Sequence, residues 1–156
     1  MSVYHRDFEE FLASLNARGA RYLVVGAHAV AYHAHPRATK DLDLYIEPTS
    51  VNAERVLAAI RDFFSGADLG FTAADLLDAD SVVQLGVAPV RIDLLCELSG
   101  IRDFGAAWER RARGHYGDVE ASYLSLDDLI LEKESTGRDQ DRADAKALRR
   151  ARQGPA

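Results

Sequence analysis

Two aspartates alternate with two leucines in the segment Asp41-Leu42-Asp43-Leu44. Because side chains alternate along a β-strand, this pattern predicts that both carboxylates project from one face and both leucines from the other. Two carboxylates held this close repel each other unless a cation lies between them, and Mg²⁺ prefers carboxylate, water and phosphate oxygens as ligands. The segment therefore predicts a strand that binds Mg²⁺ or Mn²⁺. The alternative is an acid pair that only caps a strand end in solvent.

A third aspartate, Asp93, lies within the apolar segment Arg91-Ile92-Asp93-Leu94-Leu95. An unpaired buried carboxylate is costly, so an acid in such a segment favours a functional role. If this strand lies beside the strand that carries Asp41 and Asp43, the three acids can hold two metal ions about 3.5–4 Å apart. Two such ions align an attacking hydroxyl with the α-phosphate of a nucleotide and stabilise the charge on the leaving pyrophosphate.

A glycine, Gly26, follows the apolar run 22–25 and precedes the small and apolar residues of 27–34. A strand, a glycine and a helix in this order let backbone N–H groups approach a phosphate at the helix N-terminus. The segment matches neither the three-glycine pattern of dinucleotide-binding folds nor a P-loop. The alternative is a glycine that only ends the strand.

Polar residues near these segments are candidates for nucleotide contacts. Arg37 and Thr39 lie just before the acid pair, where charge and hydroxyl would contact triphosphate oxygens. The alternative is a polar loop in which Arg37 pairs with Asp41. His28 lies near the start of the predicted helix, where it would meet a phosphate or a base, or else it is a surface histidine. Lys133 either reaches a phosphate or extends its side chain to solvent.

Hydrophobic periodicity predicts a mixed series of helices and strands. Helices are expected at 8–15, 27–34, 56–64, around Trp108, at 126–130 and at 141–150, and strands at 22–25, 42–46, 81–85, 90–95 and 119–124. Ser125 begins a capping-box pattern, and Gly137 is expected to separate the last two helices. The predicted fold class is α+β, with a small mixed β-sheet covered by helices and a helical C-terminus.

The composition limits the classes of protein to which the chain can belong. Its 156 residues are 47% hydrophobic and 28% charged, which is typical of a globular protein and excludes a disordered one. This length predicts a single domain, residues 1–156. A net charge of −6 argues against a protein that coats DNA through bulk charge. A single cysteine, a polar N-terminus and the lack of a long apolar run predict a cytoplasmic protein with no membrane partner.

Four segments, taken together and in this order, resemble the nucleotidyltransferase superfamily, which includes DNA polymerase beta. The greatest likeness is to small stand-alone bacterial members, such as the abortive-infection type II toxins and the minimal nucleotidyltransferases. The four segments are Tyr22-Leu23-Val24-Val25-Gly26-Ala27, Arg37-Ala38-Thr39-Lys40-Asp41-Leu42-Asp43-Leu44, Arg91-Ile92-Asp93-Leu94-Leu95, and a C-terminal stretch with Lys133, Arg138 and Asp141.

The resemblance implies a nucleotidyltransferase fold in which Asp41, Asp43 and Asp93 are catalytic metal ligands. Asp93 would also help to activate the attacking hydroxyl. Gly26 and Ala27 would open the helix that faces the nucleotide phosphates. Members of the family usually have serine or glycine at the second of these positions, so this chain lacks a serine hydroxyl contact to phosphate.

The same resemblance places Lys133 and Asp141 in the C-terminal part of the nucleotide site. The alternative for Asp141 is a charged helix face with local ion pairs.

The implied activity is Mg²⁺-dependent transfer of a nucleoside monophosphate from a nucleoside triphosphate to a hydroxyl of an RNA, a protein or a small molecule. A toxin–antitoxin module, a partner protein encoded by a neighbouring gene and a homodimer are compatible with this resemblance. Two alternatives stay open. One is a catalytically weak or inactive protein of the same fold that binds a partner in an antitoxin-like role. The other is a metal-dependent phosphohydrolase, which uses water as the acceptor.

Overall fold

The computed structural model describes residues 4–36, 39–87 and 90–154 of the chain. Within these ranges there are seven helices: α1 Arg6–Ala17, α2 Gly26–His33, α3 Ser50–Phe63, α4 Ala73–Leu76, α5 Phe104–Glu109, α6 Leu126–Thr136 and α7 Asp139–Gln153. The same ranges contain six strands: β1 Tyr22–Val25, β2 Asp41–Ile46, β3 Val83–Leu85, β4 Arg91–Leu95, β5 Ala112–Tyr116 and β6 Val119–Tyr123.

All six strands form one sheet in the order β3-β4-β2-β1-β6-β5. Strand β2 pairs in parallel with β4, and β1 pairs in parallel with β6, while the other neighbouring strands are antiparallel. Helices pack on this sheet and form the C-terminal part of the described chain. The structure thus confirms the predicted α+β class, with a mixed sheet, covering helices and a helical C-terminus.

The central strand β2 has the alternation that its sequence predicts. Leu42 and Leu44 are fully buried, whereas Asp41 and Asp43 are partly buried. Helix α1 packs against α3 and β6, and its buried side chains recur at helical spacing and join the same core: Phe8, Phe11, Leu12 and Leu15. The leucines therefore fix β2 in the core and turn its two carboxylates to the opposite face of the sheet.

Two short elements are absent from the sequence-based prediction. Strand β5 consists of Ala-Arg-Gly-His-Tyr, in which burial alternates but only Ala and Tyr are apolar, and it pairs with β6 at the edge of the sheet. The four-residue helix α4 begins after Thr72, whose side chain forms a capping box with Asp75. An edge pairing and a local cap stabilise these elements, and neither produces a hydrophobic period in the sequence.

The C-terminal helices α6 and α7 pack against each other and against α2. Ser125 caps α6 by accepting a hydrogen bond from the backbone N–H of Asp128. Gly137 ends α6 with a left-handed φ of 77°, a conformation that glycine adopts without strain. In the described parts of the chain, no helix combines the length and the apolar character that crossing a membrane requires.

Candidate functional site

Three aspartates meet on one face of the sheet. Asp43 lies directly opposite Asp93, because the parallel strands β2 and β4 are in register at these positions, and Asp41 lies opposite Arg91 in the same register. Residues paired in register share a face of the sheet, so all four side chains lie on the same side. The structure therefore brings together the three residues that the sequence predicts as metal ligands.

The crowding of negative charge changes the pKa of Asp43. Burial, together with the neighbouring carboxylates of Asp93 and Asp41, raises this pKa to about 6. The positive charges of Lys133 and Arg91 act in the opposite direction. The surroundings thus disfavour the charged form of Asp43, and a cation bound beside it would favour that form.

Arg91 is the cationic side chain that bridges these acids in the described residues. Its Nη2 atom lies 3.1 Å from Asp41 Oδ2 and 3.1 Å from Asp93 Oδ2. Arg91 Nε and Asp93 Oδ1 are buried and have no hydrogen-bond partner in the described structure. Among the described residues, no three histidine, cysteine, aspartate or glutamate side chains are arranged to hold a metal ion. In this arrangement the guanidinium of Arg91 forms ion pairs with two of the three carboxylates, those of Asp41 and Asp93.

The N-terminus of α2 lies beside the acids. The helix begins at Gly26, which has a φ of 66°, and a Cβ at this position would collide with the carboxylate of Asp43. The N-cap residue, Val25, makes no side-chain hydrogen bond to the helix. Uncapped N–H groups at a helix N-terminus are suited to bind phosphate oxygens. Gly26 is therefore next to Asp43, and Ala27 follows it in the first turn of the helix.

His28 and Thr39 contact each other on the side of α2 that faces the core. The ring of His28 is buried and packs edge-on against Phe8 and Tyr116, with centroids 5.6 and 5.4 Å apart. The hydroxyl of Thr39 lies 2.6 Å from Nε2 of His28. The alternative of a surface histidine is therefore wrong. The predicted contact residue Arg37 lies outside the described residues, and nucleotide contacts of His28 and Thr39 stay predictions.

Lys133 is held inside a cluster of carboxylates between α6 and α7. Its side chain is only 7% exposed, and its Nζ atom lies 3.3 Å from Asp141 Oδ1 and 3.9 Å from both Asp144 Oδ2 and Glu132 Oε2. The alternative in which Lys133 extends to solvent is therefore wrong. Its positive charge nevertheless acts on Asp43, where it offsets part of the rise in the pKa of that carboxyl.

Asp141 anchors this cluster rather than lying on a solvated helix face. It is 2% exposed, and it accepts hydrogen bonds from the Thr136 hydroxyl and from Arg138 Nε, the latter at 2.7 Å. Burial alone would raise the pKa of Asp141, but these hydrogen bonds and the charge of Lys133 hold the pKa below its usual value. Asp141 is thus a charged acceptor that fixes the position of Lys133.

Three residues of this region are absent from the predicted site residues: Arg91, Glu132 and Asp144. Arg91 could have been found from its spacing, because two residues before Asp93 on a strand lie on the same face. Asp144 follows Asp141 by three residues, which places both on one side of α7. No sequence pattern indicates Glu132 as a site residue. Its place beside Lys133 is informative only once Lys133 is known to be buried, and a lysine is not expected to be buried. Burial raises the pKa of Glu132, although Lys133 opposes the shift.

Three carboxylates, a helix N-terminus and a buried lysine thus occur in one region. A family model described as "Nucleotidyl transferase of unknown function (DUF2204)" matches residues 4–154. No curated protein matches the chain. The family match confirms the resemblance to nucleotidyltransferases that the sequence predicts. Because the match extends over almost the entire chain, the protein belongs to this DUF2204 family of nucleotidyl transferases of unknown function.

Proposed function

We propose that the protein transfers a nucleoside monophosphate from a nucleoside triphosphate to a hydroxyl acceptor, with Mg²⁺ or Mn²⁺ as the cofactor. The observation that carries the proposal is the meeting of Asp41, Asp43 and Asp93 on one sheet face, beside the N-terminus of α2. Family membership supports nucleotidyl transfer as the general activity. The family match does not specify the metal, the nucleotide or the acceptor, and these belong to our proposal.

The chemistry of the acids fits a hard divalent cation. Three carboxylates supply the oxygen ligands that Mg²⁺ and Mn²⁺ prefer, and Asp93 Oδ1 is buried without a hydrogen-bond partner among the described residues. Asp41, Asp43 and Asp93 would hold the ion once their side chains turn toward it, because in the described residues they are not arranged to do so. When bound, the ion would polarise the α-phosphate and neutralise charge on the leaving pyrophosphate.

The residues of the chain have separate roles in this proposal. The acceptor oxygen bonds to the α-phosphorus, the bond between that phosphorus and the bridging oxygen breaks, and pyrophosphate leaves. Asp93 accepts the proton of the attacking hydroxyl. The backbone N–H groups of Gly26 and Ala27 bind phosphate oxygens at the N-terminus of α2, and Lys133 supplies positive charge from α6.

Other polar residues support these groups. Asp141 holds Lys133 in place through their contact at 3.3 Å. Thr39, in contact with His28, would reach the nucleotide from the segment that leads into β2, and Arg37 would do so from the same segment.

We propose an RNA, a protein or a small molecule as the acceptor. A toxin–antitoxin role, a partner protein from a neighbouring gene and a homodimer are proposals of the same kind. A catalytically inactive binding partner is the second candidate, because Arg91 already contacts two of the three acids and Ala27 has no hydroxyl to offer a phosphate. A phosphohydrolase is the third, and it differs only in using water as the acceptor.

The test is to incubate the protein with each α-labelled nucleoside triphosphate, Mg²⁺ or Mn²⁺, and total RNA, the protein itself or a small hydroxyl compound. Label should be retained on one acceptor with wild type and with Asp80→Asn, an exposed aspartate outside the two strands that carry the three acids. It should be lost with Asp43→Asn. Free labelled monophosphate without a labelled acceptor would indicate the phosphohydrolase. If no nucleotide yields either product and wild type binds nucleotide no better than Asp43→Asn, the inactive binding partner takes the place of the enzyme.

A further inference from the structure

We propose that Arg91 is an internal cation that occupies the carboxylates in the absence of metal, so that a divalent ion must displace its guanidinium before it can bind. This inference rests on the proposed function, because it concerns how the same acids acquire their metal. It adds a residue that controls the metal affinity of the site.

The geometry places one guanidinium nitrogen between two carboxylates on neighbouring strands. Arg91 is in register with Asp41 across β2 and β4, and its Nη2 atom is 3.1 Å from an oxygen of Asp41 and 3.1 Å from an oxygen of Asp93. Asp43 lies in register with Asp93 on the same face. An ion shared by the three acids would lie close to the two oxygens that Nη2 now contacts, so the ion and the guanidinium would compete for the same two carboxylates.

In the part of the chain that the structure describes, the ion pair between Arg91 and Asp93 leaves one polar atom of each residue without a hydrogen-bond partner. Arg91 Nε and Asp93 Oδ1 are buried and lack hydrogen-bond partners among the described residues. Buried polar groups in a purely structural ion pair are normally satisfied, because an unsatisfied one costs free energy. The guanidinium donates a hydrogen bond to Asp93 Oδ2 and contacts Asp41 as an ion pair, so this pairing leaves polar atoms of both partners unsatisfied and is easier to displace than a complete one.

Arg91 also has a route out of the site. Its side chain is 37% exposed and that of Asp41 is 35% exposed, whereas the side chain of Asp93 is 12% exposed. The guanidinium can therefore move to solvent without repacking the core. Lys133 cannot take the same role, since its side chain is 7% exposed and is held by three other carboxylates.

The competition sets a measurable expectation. If only a small fraction of the protein has its site open for binding, the apparent Kd equals the Kd of the open form divided by that fraction. One charged hydrogen bond to Asp93 and one ion pair with Asp41 are together strong enough to keep the open form to about a tenth of the population or less. Removal of the guanidinium should therefore lower the Mn²⁺ concentration at half-saturation by about 10-fold or more.

The experiment is a titration of Mn²⁺, in which free Mn²⁺ is measured by electron paramagnetic resonance without nucleotide. Arg91→Met keeps the length of the side chain and removes its charge, Arg91→Lys keeps the charge, and Arg142→Met is the control at an exposed arginine on α7. Arg91→Met should bind Mn²⁺ at least about 10-fold more tightly than wild type, whereas Arg91→Lys should bind closer to wild type and Arg142→Met should match it.

Two results would overturn the inference, and they differ in what they say about the proposed function. If wild type and Arg91→Met bind Mn²⁺ with half-saturation within about twofold of each other, Arg91 does not compete, and the metal site stands. If neither binds Mn²⁺, both the competition and the metal-dependent function fail.

If Arg91→Met does not fold, a second measurement takes the place of the titration of that variant. It follows the ¹⁵Nε–H resonance of Arg91 in the wild-type protein by NMR. Saturation with Mg²⁺ should shift that resonance, and an unchanged resonance at saturation would overturn the inference.

Discussion

Gly26 leaves the space that the carboxylate of Asp43 occupies, since a Cβ on Gly26 would collide with that carboxylate. The first residue of α2 and the central acid of β2 are therefore in direct contact, although they are far apart in the sequence. This contact places the N–H groups of a helix N-terminus beside the candidate metal ligands. A nucleotide phosphate and a cation that interacts with it would be bound at adjoining positions.

We expect Gly26→Ala to destabilise the protein more than Gly19→Ala does. Both glycines have a φ of 66°, so both variants bear the backbone strain of a left-handed residue, about 1–2 kcal/mol. No atom lies within 4 Å of a Cβ at Gly19, whereas one at Gly26 meets Asp43. Urea unfolding measures the difference, and Gly26→Ala should also lose affinity for Mn²⁺. Equal losses of stability with unchanged Mn²⁺ affinity would show that the contact with Asp43 is unimportant.

Divalent metal should stabilise the folded protein. A ligand at 100 times its Kd that binds only the folded state adds about 2.7 kcal/mol, which corresponds to a rise in Tm of about 5–10 °C for a chain of this size. Asp43→Asn should abolish the rise, and Asp80→Asn, at an exposed position, should keep it. Differential scanning calorimetry with and without Mn²⁺ tests this expectation. A full rise in Asp43→Asn would argue against the site.

Asp43 should make the metal-free protein less stable as the pH rises. Its pKa is raised from an ordinary value of 3.8 to about 6, so between these values the folded protein binds more protons than the unfolded chain. The contribution of Asp43 to stability is then present at pH 4 or below and is lost as the pH rises through about 6. The difference is on the order of 2–3 kcal/mol. Unfolding of wild type and of Asp43→Asn in EDTA, at a series of pH values, should give free energies whose difference changes in this direction. A difference that is independent of pH would contradict the raised pKa.

Lys133→Met should destabilise the protein strongly at neutral pH. Removal of one partner from a buried ion pair costs about 3–5 kcal/mol, because the other charge stays buried and unpaired. Asp141 would keep Thr136 and Arg138 as partners and Asp144 would keep Gln140, so we expect a loss toward the lower end of this range. The loss should shrink at strongly acid pH, where Asp141, whose pKa lies below its usual value, becomes protonated. Lys146→Met, at an exposed position of α7, is the control and should have little effect. A small loss for Lys133→Met in urea unfolding would contradict the role assigned to this cluster.

Much of the site can be predicted from short sequence patterns. Alternation alone places Asp41 and Asp43 on one face of a strand, since the leucines between and after them must reach the core. The order of strand, glycine and helix likewise predicts where Gly26 lies. In both cases the information is contained in a short run of neighbouring residues.

The remaining parts depend on contacts between distant segments. No periodicity in the sequence predicts that β4 pairs with β2, or that the register of this pairing places Asp43 opposite Asp93. The pairing of Arg91 with Asp41 follows from that same register. Lys133 is a further case, because its burial depends on carboxylates that a second helix, α7, supplies. Strand β5 pairs with β6 and packs Tyr116 in the core, but its own residues give too weak a signal to indicate a strand.

The central claim is that Asp93 takes part in the chemistry of transfer while Asp43 mainly holds the cation. The most direct test measures, for Asp93→Asn and Asp43→Asn, both Mn²⁺-dependent nucleotide affinity by calorimetry and transfer of α-labelled nucleotide to the acceptor. We expect Asp93→Asn to keep most of the nucleotide affinity yet to lose transfer by about 10²–10⁴-fold, as for a missing general base. Asp43→Asn should lose both. Transfer at the wild-type rate by Asp93→Asn would contradict the account.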